Sequence, residues 1–236
     1  FMVSNYDKQV DIGRKIFLNY DQEALIRKFA LDADTDFLYL TYLGTKCRVN
    51  RMTGAIDKMI DDIYMECREY TVVMTIYDML CHGDSSTLPP LSGKWTLVGN
   101  FAAAGSSPDA NLFSQKYADA FSRKTDALKD ACTAIGGKIL DSIAGADVTA
   151  RIPAFSFFPV LLQYWEKDEE FPPQVRLLWD DQSMKYLNFE TTYCKGICWN
   201  ICCSLSVKTP FDLPPLLSSA HKKQIFSPHK AWYPSC

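Results

Sequence analysis

The chain has 236 residues, 47% apolar and 22% charged, with a formal net charge of −3, a composition that argues against a disordered or fibrous polymer. Its basic residues are scattered and never denser than pairs such as Lys222-Lys223, so the sequence carries no electrostatic footprint for nucleic acid or an anionic membrane. No apolar run approaches the ~20 residues that span a bilayer, and the longest, residues 155–165, is interrupted by Pro159.

The first elements are helical. Val10, Ile12, Ile16 and Phe17 recur at helical spacing, and Asp21 is placed to cap a second helix carrying Leu25, Ile26 and Phe29. From Asp36 the period changes to that of strands. Phe37, Tyr39, Thr41 and Leu43 run into Gly44, then Cys47 and Val49 into the turn Met52-Thr53-Gly54, then Ile56, which predicts a small antiparallel meander. Residues 65–82 read as helix with the stripe Val72, Val73, Ile76, Tyr77, Leu80 and Cys81, stopping at Gly83. Lys94 to Val98 reads as a short strand after Pro89-Pro90. Asp109 then caps one long helix through Tyr117, Phe121 and Leu128 to Gly136-Gly137.

Three strands follow, over residues 148–152, 157–165 and 175–179, with an acidic loop before the last. Asp180-Asp181 is placed to cap a short helix, and residues 189–205 read as one continuous helix. After Lys208 the chain holds five of its twelve prolines, a tail expected to lie across the domain on Phe211, Phe226 and Trp232. Strands do not alternate regularly with helices, which disfavours a doubly wound parallel sheet. The expected class is α+β: a mixed or mainly antiparallel sheet with packed helices, in a single domain over residues 1–207, with the Pro-rich tail 208–236 packed on it.

The most distinctive string is Trp165-Glu166-Lys167-Asp168-Glu169-Glu170-Phe171-Pro172, followed by Leu177-Leu178-Trp179-Asp180. Together with Gly136-Gly137 and Gly145-Ala146-Asp147, this string resembles the uncharacterised bacterial and archaeal family designated domain of unknown function 3786, over residues 77–205. Trp179 departs from the pattern, which usually carries Phe there. The resemblance implies no activity. It implies a setting typical of anaerobes, where some members are fused to an iron–sulfur domain resembling that of corrinoid proteins.

Four carboxylates within five positions repel one another unless they are solvated, paired or bound to a hard cation. Crowding of this kind can also raise one carboxyl into the range of a general acid. The opposing reading is a solvated hairpin loop whose charges guard the strand ends, with Arg176 pairing one carboxylate. Trp165, Glu166, Asp168, Glu169, Glu170, Phe171 and Asp180 are the candidate ligand- or partner-binding residues.

Nine irregularly spaced cysteines do not form a secreted disulfide framework, and no apolar leader opens the sequence; a reduced, cytoplasmic protein is expected. Cys194, Cys198, Cys202 and Cys203 invite a metal reading. On an intact helix Cys194 and Cys202 stand about 12 Å apart along the axis, whereas zinc bonded to sulfur at ~2.3 Å brings sulfurs to about 3.7 Å. No metal is favoured on that geometry, and Cys194, Cys198 and Cys202 remain the alternative metal set if the helix unwinds at Gly196. Cys81 and His82 diverge on a helix and do not form a nucleophile–base pair. His221 and His229 read as surface residues.

No phosphate loop, serine elbow, His-Glu-x-x-His or Cys-x-x-Cys occurs. The leading expectation is a non-catalytic accessory domain that binds a protein partner or small ligand, linked to anaerobic metal or corrinoid metabolism, with no cofactor, nucleic acid or membrane. The alternatives are an enzyme using the acidic-loop carboxylates or Asp180, and a cysteine-ligated metal or iron–sulfur protein.

Overall fold

The computed structural model describes residues 5–82, 87–101, 117–192 and 196–208. Among them the chain is α+β, built on a sheet of ten strands in which every pairing is antiparallel. Helices α1 (Asn5–Asn19) and α2 (Gln22–Phe29) open it. Asp21 accepts the Ala24 N–H at 3.1 Å, which is the N-cap expected from the sequence. Strands β1 (Asp32–Ala33), β2 (Phe37–Tyr42), β3 (Thr45–Asn50), β4 (Ile56–Ile60) and β5 (Ile63–Glu66) form the meander. Helix α3 (Tyr70–Cys81) leads to β6 (Trp95–Leu97), and α4 (Thr125–Ala134) to β7 (Lys138–Leu140). Strands β8 (Val148–Phe155), β9 (Phe158–Trp165) and β10 (Gln174–Asp180) then precede α5 (Phe189–Thr192) and α6 (Ile197–Lys208).

The strands lie in the order β5-β4-β3-β2-β8-β9-β10-β6, with β1 added beside β2 and β7 beside β8. Strand β9 is buried from Phe158 to Tyr164 on both of its faces, which explains its unbroken apolar reading. On one side, α4 packs on β7 and β8, α6 on α4 and α3, and α3 on α1. Gly13 lets α1 approach closely, since a Cβ there would come within 2.7 Å of the Tyr77 ring. Tyr77 in turn donates to Gly54 O at 2.7 Å, pinning α3 to the β3–β4 turn.

Several sequence expectations are corrected. The buried side chains of β2 are Leu38, Leu40 and Tyr42, the set alternate to the Phe37, Tyr39 and Thr41 whose spacing marks the strand. Both faces of this strand are apolar or aromatic, so alternation alone leaves its phase open. Helix α3 begins at Tyr70 because Ile63–Glu66 is drawn into the sheet as β5. The long helix expected through Phe121 and Leu128 is broken: residues 117–121 are helical, Arg123 adopts φ +62°, and α4 starts at Thr125. The helix expected over 189–205 is likewise two elements, α5 and α6. Pro153 does not end its strand; it faces Pro159 within the β8–β9 ladder, beside an irregularity in register. Gly83, Asp109, Cys194, His221, His229 and the Pro-rich tail lie outside the described residues.

Candidate functional site

The β9–β10 hairpin carries the acidic string, and the structure sorts its residues by role. Trp165 ends β9 opposite Gln174. Its indole N–H donates to Ala144 O at 3.2 Å, and the Arg176 guanidinium lies 4.8 Å from its ring centroid. Arg176 also donates to Gln174 at 3.1 Å. It therefore meets Trp165 and Gln174 rather than a carboxylate of the loop, which corrects the expected pairing.

Glu166 turns inward. Its carboxylate accepts the Ser122 hydroxyl at 2.6 Å, the Lys167 N–H at 3.0 Å and the Arg123 N–H, while its own N–H donates to Asp147 at 2.8 Å. Burial pushes this carboxyl up, but the Ser122, Arg123 and Lys167 donors outweigh it and hold it below the ordinary glutamate value. A carboxylate held ionised in this way is the opposite of a general acid poised near neutrality.

Asp168 closes the loop on itself. Its Oδ1 accepts the N–H groups of Glu170 at 2.8 Å and Phe171 at 2.7 Å, and its N–H donates to Phe171 O at 3.1 Å. This is an Asx-type turn, in which a short side chain supplies the acceptor that a tight bend requires. It leaves Glu169, Glu170 and Phe171 facing water, with Phe171 59% exposed.

Asp180 does not join this group. It lies six residues beyond Gln174 on β10, about 20 Å along the strand. Buried at 1% exposure, it accepts the N–H groups of Ser92 at 3.1 Å, Gly93 at 2.7 Å and Gln182 at 3.0 Å. Those bonds tie the approach to β6 and the turn after β10 to the sheet. The 3₁₀ turn Ser183–Lys185 that follows has Gln182 at its N-cap and no side-chain cap bond, so Asp180-Asp181 does not cap it as the sequence suggests.

On α6, Cys198 and Cys202 are buried and Cys203 is half-buried. Burial first, then the neighbouring Cys198, Cys203 and Cys132 thiols, push Cys202 well above the ordinary thiol value. Among the described residues no three His, Cys, Asp or Glu side chains are grouped to hold a metal ion. Cys81 is pushed up to about 12 by burial and then by Asp78. The His82 ring turns elsewhere, its Nε2 3.2 Å from Met184 O.

Two concavities were not foreseen. An open groove of about 820 Å³ is lined by Gln22, Glu23, Ile26, Asp34 and Arg51 among others. Arg51 is spent inside it on Gln22, Glu23 and the Asp34 carbonyl, at 3.1, 2.6 and 2.9 Å. A smaller one of about 340 Å³ is walled by Phe29, Leu88, Pro89, Pro90, Phe157 and Tyr186, with Lys28 at its margin. The Pro89-Pro90 dipeptide was the only signal of it in the sequence. Neither borders the acidic hairpin.

No helix among the described residues is long and apolar enough to cross a membrane. No curated protein and no solved structure matches the chain. The sequence profile of one family matches residues 21–199, from the cap of α2 into α6 and through the whole acidic hairpin. The chain belongs to the family described as domain of unknown function DUF3786.

Proposed function

We propose that the chain is a non-catalytic binding domain that presents the tip of the β9–β10 hairpin to a protein partner. The observation that carries this is the turn closed by Asp168, which holds Phe171 59% exposed beside two outward carboxylates, Glu169 and Glu170. An aromatic ring on a preformed turn is an interface anchor with little left to order on binding. The flanking acids select a partner whose apolar pocket is rimmed by basic residues. The state of Glu166 supports the same reading, since its carboxylate is committed to the fold through Ser122, Arg123 and Lys167 and held ionised. The family resemblance directs the search for that partner to anaerobic metal or corrinoid metabolism.

The test is a capture experiment with purified chain and extract of the native organism, comparing wild type with Glu169→Lys/Glu170→Lys/Phe171→Ala. The expected result is a stoichiometric partner that binds wild type and is lost with the triple variant, whose melting temperature stays within about 2 °C, as for exposed substitutions. Retention of the partner by the triple variant overturns the proposal. So does a large loss of stability, which would make the tip a structural element.

A further inference from the structure

Strand β5 ends the sheet among the described residues, and the geometry of its hairpin fixes which of its backbone groups face outward. The β4–β5 loop consists of Asp61 and Asp62, at φ +48° and +61°, the two-residue turn whose flanking residues form a hydrogen-bonded pair. Those residues are Ile60 and Ile63. The Cys67 N–H donates to Ile56 O at 2.8 Å and keeps the same phase. Ile63, Met65 and Cys67 therefore direct their N–H and C=O groups to β4, and Tyr64, Glu66 and Arg68 direct theirs away from the sheet. On the face shared by Ile60, Ile63 and Met65, the three side chains are 41%, 65% and 53% exposed.

We propose that this edge pairs antiparallel with the same edge of a second copy of the chain, so that two sheets continue into one across a two-fold axis. Of the registers that keep the outward groups in phase, three are centred on the stretch Tyr64 to Glu66. One centred on Glu66 sets Glu66 against Glu66, and one centred on Tyr64 sets Asp62 against Glu66. Like charges directly opposite one another are destabilising. The register centred on Met65 sets Asp62 against Arg68 twice and Tyr64 against Glu66 twice. It also brings the two Met65 side chains together, covering the exposed apolar face. Arg48 is spent within the chain, on Asp57 at 2.8 Å and against the Phe37 and Tyr64 rings at 3.9 and 4.2 Å, so the charge pairs that favour this register are those of Asp62 with Arg68. The Arg68 side chain is 87% exposed and is held towards the edge by Glu66 at 3.0 Å. Such an interface is isologous and closes at two copies, which also occupies an edge otherwise open to uncontrolled strand addition.

Sedimentation velocity on the full chain tests this, with thermal melts as the control for folding. Wild type is expected at twice the 26.8 kDa of the chain. Arg68→Asp and Met65→Glu are each expected to halve that mass at the same concentration with the melt of a folded protein. Mixing Arg68→Asp with Asp62→Lys is expected to restore the dimer, because the charges are then complementary at both ends of the ladder. A wild-type chain that sediments at 26.8 kDa throughout, or a dimer that survives both Arg68→Asp and Met65→Glu, overturns the proposal.

Discussion

Glu166 shows how one side chain can decide a turn elsewhere in the chain. Its carboxylate satisfies Ser122 and the Arg123 N–H, and it is at these residues that the helical segment 117–121 stops and a new helix starts two residues later. The acid is held below its ordinary 4.5 in the fold. A group depressed in the folded state contributes stability that is present above its unfolded value and lost as pH falls through its folded value. The acid limb of the wild-type melting curve should therefore steepen below about pH 4.5. Glu166→Gln should flatten that limb and cost about 1 kcal/mol at neutral pH, since an amide oxygen is a weaker acceptor for the same donors. Melting temperature against pH for the two proteins checks both. None of this was legible in the string Trp165 to Pro172, because its four acids look equivalent until a distant Ser122 selects one of them.

At the scale of elements, the β2–β3 hairpin meets the end of α4 at one point. Leu43 and Gly44 form its two-residue turn at φ +46° and +74°, and Leu43 N–H reaches Ala154 O at 3.0 Å. A Cβ on Gly44 would fall 2.9 Å from backbone atoms of Ile135, which cannot move aside as a flexible side-chain tip would. Gly44→Ala should cost at least about 2 kcal/mol, combining the left-handed backbone penalty with that clash. Gly145 has φ +73° and no heavy atom within 4 Å of a built Cβ, so Gly145→Ala should cost only about 1 kcal/mol. Urea denaturation of both variants separates the terms. The sequence disclosed this turn, the α2 cap and the long strands β8, β9 and β10, where burial and apolar character coincide. It did not disclose β1, β5 or β7, which have two to four residues and mostly exposed side chains. Pattern has nothing to register in so short an edge. The helix breaks were hidden for a different reason: apolar spacing continues across residues 122–124 while tertiary hydrogen bonds interrupt the backbone.

For the molecule as a whole, the interior is rich in thiols, and burial governs their chemistry. Cys47, Cys81 and Cys132 are each pushed from 9.0 up to about 12, chiefly by burial. Three pH units correspond to roughly a thousandfold fewer thiolates, the reactive form. In the folded chain these three should resist iodoacetamide at pH 8 by at least that factor relative to the urea-unfolded chain. Site-resolved mass spectrometry reads this directly. Rapid native labelling at any of the three would contradict the packing described for them.

The two halves of the sheet touch along a narrow seam. Strands β2 and β8 share the single register pair Tyr42 and Phe155, whose rings are 4.9 Å apart. Asn200 on α6 donates to the Tyr42 hydroxyl at 2.8 Å and accepts from Thr71 at 2.9 Å, and the same helix packs on α4. Helix α6 thus acts as a clasp laid across the join. A chain shortened before Ile197 would lose this clasp and leave the join to the Tyr42–Phe155 pair and the Leu43–Ala154 hydrogen bond.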